Sequence, residues 1–164
     1  MAGTLADLAK NMRELAASIP AKANLIKQTA ARTINFDLLQ VTPVDIGDAV
    51  SNWQVQLDTP ADGPRAAFVP SPGGRMVQKN GGRIWEHRAD PEATRQANIE
   101  PALSVGNAVI DSSKPGQSIH ITNVLPYIQA LDEGHSSQAI NFVERAIILG
   151  RETVTRAKIT SWDV

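Results

Sequence analysis

The stretch "VTPVDIGDAVSNWQVQLD", residues 41–58, decides the fold. Upstream of it apolar residues recur with a helical period. Pro43 then pushes Thr42 out of helical geometry, because the proline ring crowds the backbone of the residue before it. From Val50 the period drops to two. Ser51, Trp53, Val55 and Leu57 face one way and Asn52, Gln54, Gln56 and Asp58 the other, the pattern of a half-buried strand. A long helix that runs into a strand announces a mixed domain.

Upstream, Leu5, Leu8, Met12 and Leu15 are spaced for one helix face, with Asp7, Lys10, Arg13 and Glu14 between them. Pro20 is expected to end or kink that run, and Ile26, Ala30, Ile34 and Leu38 continue as an i, i+4 ridge. Downstream, residues 59–90 hold prolines at 60, 64, 70 and 72 and paired glycines at 73–74 and 81–82, without sustained periodicity. They read as one long irregular loop. Loops beyond roughly 12–15 residues are uncommon in compact domains unless they bind something or stay disordered.

A middle helix is expected from Asp90, an N-cap followed by Pro91 at the first helical position, with Pro101 dividing or bending it. "SIHITNV" alternates again, Ile119 and Ile121 facing inward. The segment "SSQAINFVERAIILGRETVTRAK" begins with serines able to cap a helix whose face carries Val143, Ile147, Gly150 and Val154. A short tail with Trp162 follows. The expected fold is α+β: a small antiparallel sheet packed by a long N-terminal helix, a middle helix and a C-terminal helix, with a long irregular loop, all in one domain over 1–164.

Composition narrows the function. At 164 residues the chain suits one domain, and 16 basic against 17 acidic residues leave bulk electrostatics without a preferred polyanion or membrane. No cysteine means no disulfide framework and no thiolate metal site, which fits folding in a reducing cytoplasm. The first twenty residues lack an uninterrupted apolar run, so neither a signal peptide nor a membrane span is expected there. Aromatic content of 4% argues against a stacking platform for nucleic acid.

Asp132, Glu133 and His135 stand within four residues and would serve as base, acid and orienter if they met in a cleft. "LDEGHSS" reads better as a helix C-terminus, with Gly134 in the left-handed position after the cap and a serine starting the next helix. His87, His120 and His135 show no metal-ligand spacing, and neither Gly-Gly-Arg unit continues as a phosphate loop. No catalytic residue, metal or cofactor is therefore expected. Residues 65–88 concentrate charge instead: Arg65, Arg75, Lys79, Arg83 and Arg88 against Glu86. A basic loop of this kind suits phosphates or an acidic partner surface. Trp53 and Tyr127 are expected as core or subunit-contact anchors.

Two segments resemble a known family, the neck and tail-completion proteins of tailed bacteriophages, also called minor tail or head–tail joining proteins. "TPVDIGDAVSNWQV" is similar to that family's Thr-Pro-Val-Asp-Thr-Gly followed by Asn-Trp and a strand, with Ile46 and Asp48 standing where a threonine and a basic residue are usual. "ITNVLPYIQALDEGHSSQA" is similar to its Asn-Asn-Leu-Pro-Tyr and Leu-Glu-x-Gly-x-Ser-x-Gln-Ala, with "INFV" where Pro-x-Gly-Met is common. The resemblance implies a non-enzymatic virion protein that forms a homo-oligomeric ring, commonly sixfold, between capsid connector and tail. Its partners would be other neck, connector and tail proteins, with DNA contact in the lumen through the basic loop and no membrane. Assembly would take place in the host cytoplasm. Pro43, Asp45, Gly47, Trp53, Pro126, Tyr127, Gly134 and Gln138 would shape the turns and subunit contacts. A small hydrolase using Asp132 and His135, or a DNA-contacting module using residues 65–88, are the alternatives.

Overall fold

The computed structural model describes residues 5–86, 89–136 and 138–157. The expectations for His87, Arg88 and Trp162 lie outside the described residues. Within them the chain forms α1 (Leu5–Val41), α2 (Asp48–Ser51), β1 (Gln54–Leu57), β2 (Arg75–Lys79), β3 (Gly82–Glu86), α3 (Pro91–Ser112), β4 (Ile119–Thr122), α4 (Ile128–Asp132) and α5 (Phe142–Arg156). The architecture is the α+β arrangement expected. β1 pairs antiparallel with β4, Gln54 opposite Thr122 and Leu57 opposite Ile119.

Neither interior proline interrupts its helix. α1 runs through Pro20 and α3 through Pro101. A proline frees the carbonyl four residues earlier. Here those residues, Ala16 and Ala97, are exposed, so water can take the freed acceptor. Asp90 caps α3 as expected, accepting the Glu92 N–H at 3.0 Å.

α3 and α5 both pack along the second half of α1. Arg145 donates to Asp37 at 2.9 Å, and Thr153 and Thr33 meet at 3.4 Å, so α5 runs antiparallel to α1. α3 crosses the same region, Gln28 donating to the Ile110 carbonyl and Arg32 pairing with Asp111. The core gathers Leu38, Leu39, Val44, Val50, Trp53, Ile99, Ala102, Phe142 and Ala146, and a second cluster joins Ala31, Val55 and Ile110 beneath the sheet. On α5 the buried stripe is Phe142, Ala146 and Gly150. Ile147 and Val154, expected inward, are exposed. The stripe is rotated because Gly150 lies directly against Ile34, where a Cβ would sit 2.5 Å from the isoleucine Cδ1.

Two further expectations are corrected. The strand after Pro43 begins at Gln54, and a single helical turn, α2, occupies part of the stretch read as alternating. Residues 51–55 are all buried, so burial does not alternate there. The long irregular loop is irregular only as far as Gly74. Beyond it β2 and β3 pair as a hairpin, Met76 opposite Trp85 and Val77 opposite Ile84. Asn80 and Gly81 make the turn with φ of 53° and 81°, the paired positive values of a type I′ hairpin.

Candidate functional site

The two resembling segments meet in space. Gln138 joins them: its Oε1 accepts the Val44 N–H at 2.9 Å and its Nε2 donates to the Val44 carbonyl at 2.8 Å. The amide thus satisfies both polar groups of a buried backbone residue, as a neighbouring strand would. Arg95 adds a donor to Gln138 Oε1 at 3.1 Å.

The corner around Gly134 is structural in detail. The Gly134 N–H reaches the Leu131 carbonyl at 3.2 Å and the His135 N–H the Ala130 carbonyl at 3.0 Å, the two bonds of a Schellman ending for α4. Gly134 has φ +93°, and a Cβ there would lie 2.8 Å from Ile140 Cδ1. The next helix is not capped by serine. α5 starts at Phe142, and Asp132 caps it from outside: its Oδ1 accepts the Val143 N–H at 3.0 Å and its carbonyl accepts the Asn141 N–H at 2.8 Å. A carboxylate at a helix N-terminus also opposes the helix dipole favourably. Ser136 Oγ accepts the Gln138 N–H at 3.1 Å. Among the described residues no hydrogen bond joins the Asp132, His135 and Ser136 side chains to one another.

The "TPVDIG" segment turns around two anchors. Trp53, buried, donates its indole N–H to Thr42 Oγ1 at 2.8 Å, which locks the helix exit over the core. The Asp45 carboxylate accepts the Gly74 N–H at 3.0 and 3.2 Å, holding the root of the hairpin. Gly47 has φ +94°, and a Cβ would come within 2.7 Å of Asn98 Nδ2. Asn98 is fully buried and pairs with Val69 as Gln138 does with Val44, taking its N–H and giving to its carbonyl, both at 2.9 Å. Asn52 repeats the device on Arg65, at 2.8 and 2.7 Å. Three amides therefore lace backbone that has no strand partner, and residues 61–74 follow the body closely.

Between these segments lies a cleft of about 550 Å³. Pro43, Val44 and Ile46 of the first segment, Tyr127 and Leu131 of the corner, and Trp85 of β3 line it. Asp45, Asp48 and His135 supply polar groups to the lining. Burial pushes the Tyr127 phenol above the ordinary tyrosine range, and the nearby Asp48 and Asp45 carboxylates push it further. An apolar groove edged by carboxylates and two half-exposed aromatic rings is suited to an apolar or cationic side chain. Among the described residues no three His, Asp or Glu side chains gather as a metal site, and no helix is long and apolar enough to cross a membrane.

Of the sequence-predicted residues, Pro43, Asp45, Tyr127 and Gln138 line this cleft, while Gly47 and Gly134 shape its two sides. Trp53 lies in the core beneath, and Pro126 is exposed outside the lining. The basic residues do not form one patch. Arg65 stacks over Phe68 at 5.2 Å, and Arg75 is paired with Glu86 at 3.2 Å. Lys79 and Arg83 flank the hairpin turn on opposite faces, since Arg83 opposes Gln78 and Lys79 opposes Gly82. Arg88 lies outside the described residues. Sequence reasoning missed Trp85, Asp48 and Asn98. The signal for Trp85 was Asn80-Gly81 between two short apolar pairs, a strong hairpin mark; Asn98, a polar residue inside a helix, carried none.

Comparison with protein-family models, curated proteins and solved structures finds no match to this chain.

Proposed function

We propose that the chain is a structural subunit of the neck of a tailed bacteriophage, forming a homo-oligomeric ring, six-membered by the resemblance, that completes the tail and joins it to the capsid connector. One observation carries the reading. The two segments on which the resemblance rests are 66 or more residues apart in sequence and yet form one physical unit, closed by the two-point pairing of Gln138 with Val44. Motif residues serve as turn formers and clamps, the use a structural subunit needs. Of the two residues in the hydrolase alternative, Asp132 already has a structural use, its Oδ1 accepting the Val143 N–H at the start of α5. Among the described residues, the DNA-contacting alternative has Lys79 and Arg83 on an exposed hairpin.

A ring closes through heterologous contacts, one face of a subunit meeting a different face of the next. The cleft, which the hairpin borders through Trp85, is a candidate for one of these faces. The reading is tested by electron microscopy of lysates from a phage lacking this gene. DNA-filled heads without attached tails are expected, and normal joined virions would overturn the proposal. Neutralising Lys79 and Arg83 should leave joining dependent on the cleft; a loss of salt-sensitive DNA affinity in that variant would favour the DNA-contacting alternative.

A further inference from the structure

Among the described residues, the first hydrogen bond from α1 to the body comes at Asn24, whose amide donates to the Ser113 carbonyl at 2.9 Å, followed by Lys27 and Gln28. None of residues 5–23 is buried. At about 1.5 Å per residue those nineteen positions span roughly 28 Å of helix. Along them runs an apolar stripe: Leu5 is 86% exposed, Leu8 56%, Met12 63% and Ile19 41%, with Leu15 half-buried among them. An isolated helix of this length is marginal in water, so a stripe this regular calls for a partner.

The spacing identifies the kind of partner. Leu5, Leu8, Met12, Leu15 and Ile19 are separated by three, four, three and four residues, the a and d positions of a heptad. A 3.5-residue period keeps a seam facing another helix in a left-handed supercoil, whereas packing on a flat surface has no need of it. The positions beside the seam are Ala9, Asn11, Ala16 and Ser18, all small or uncharged. Charge lies on the outward face, where Asp7 and Glu14 balance Lys10 and Arg13. Pro20 also falls outward. A neutral arm has no electrostatic attraction for a polyanion or an acidic surface, and no charge beside the seam opposes an identical arm. The helix is continuous to Val41, so it cannot fold its own stripe back onto the body.

We propose that residues 5–19 of α1 are a coiled-coil arm that pairs with the same arm of a second copy of this chain. The pairing is independent of the neck reading and would hold for any function. It is tested by sedimentation equilibrium of the full chain from low micromolar to several hundred micromolar, beside the variant Leu8→Glu/Met12→Glu. The wild type should rise with concentration to at least twice the monomer mass, and the variant should remain at the lower mass, with the near-ultraviolet circular dichroism and urea midpoint that the wild type shows at its lowest, monomeric concentration. A wild type that stays monomeric throughout would overturn the proposal, because something other than a second copy must then cover the stripe. A variant that associates like the wild type would also overturn it. Since both substituted side chains are exposed, a fall in the urea midpoint at that monomeric concentration would show that they pack on the body, a third outcome that refutes the arm. Head–tail joining in the deletion phage is a separate readout, so failure of either reading leaves the other standing.

Discussion

Asn98→Ala is the sharpest test of the amide lacing. Asn98 Oδ1 accepts from Ser51 Oγ at 2.8 Å and from the Val69 N–H at 2.9 Å, while Nδ2 donates to the Val69 carbonyl at 2.9 Å and to the Thr94 carbonyl at 2.8 Å. Alanine removes all four. Thr94 keeps a helical acceptor role within α3, and the Ser51 oxygen still accepts the Phe68 N–H at 3.1 Å, so three groups lose the partner that Asn98 supplied: the Ser51 O–H and both backbone groups of Val69. A buried polar group without a partner costs about 1–3 kcal/mol. Ser51 is fully buried and takes the upper end of that range, whereas Val69 is 45% exposed, so water softens its share. The expected loss is about 3–5 kcal/mol, a large part of the roughly 5–15 kcal/mol that holds a domain together. That corresponds to a fall in Tm of roughly 6–20 °C for a domain of this size. Urea unfolding followed by tryptophan fluorescence, with a thermal melt beside it, reads the effect. Asn98→Asp should lose at least as much at neutral pH, because a carboxylate would then face two carbonyl oxygens. A loss below about 1 kcal/mol for Asn98→Ala would refute the idea that one amide holds residues 67–71 against α3.

Other outcomes follow from the same geometry. The chain has one tyrosine, so absorbance titration reports Tyr127 alone; its ionisation should come above the ordinary value, and Asp48→Asn should bring it down. Because the folded phenol holds its proton more tightly than the unfolded one, the associated stability is intact below a pH of about 10 and is lost as pH rises from there through the folded value. Tyr127→Phe should remove that alkaline loss, and a Tyr127 that titrates normally would contradict the placement. Asp132→Ala should lower stability by about 1 kcal/mol through the start of α5, with Asp132→Asn close to wild type; equal, larger losses in both would point to a role beyond capping. Gly47→Ala should cost about 2 kcal/mol or more, read as a shift of the urea midpoint, from a left-handed backbone and contact with the Asn98 amide. A neutral result would mean that α2 can move away from α3.

What could be read without coordinates was what depends on near neighbours. Gly134 as a left-handed cap, Asp90 and Pro91 at a helix start, and the end of the long helix before Pro43 all follow from sterics and hydrogen bonds spanning a few residues. These rules place helices and strands in order, and with them the α+β class. The hairpin at Asn80-Gly81 was equally local and was hidden only by the prolines and glycines around it.

Tertiary packing decided the rest. Pro20 and Pro101 stay inside helices because the carbonyls they free belong to exposed residues, a fact of which face lies outward. Asp132 became a cap for a helix that begins ten residues later, and Gln138 a clamp on Val44, because both partners are brought near by the packing of α5 and α3 on α1. Asn52 and Asn98 read as polar residues in a strand and a helix; they are buried because residues 61–74 lay unpaired backbone over the core, and an unpaired buried peptide group must find a donor or acceptor wherever one is within reach. Sequence by itself determined the elements, through interactions a few residues long, and the tertiary structure alone decided which polar side chains complete the backbone of the cleft, since that choice depends on groups tens of residues apart.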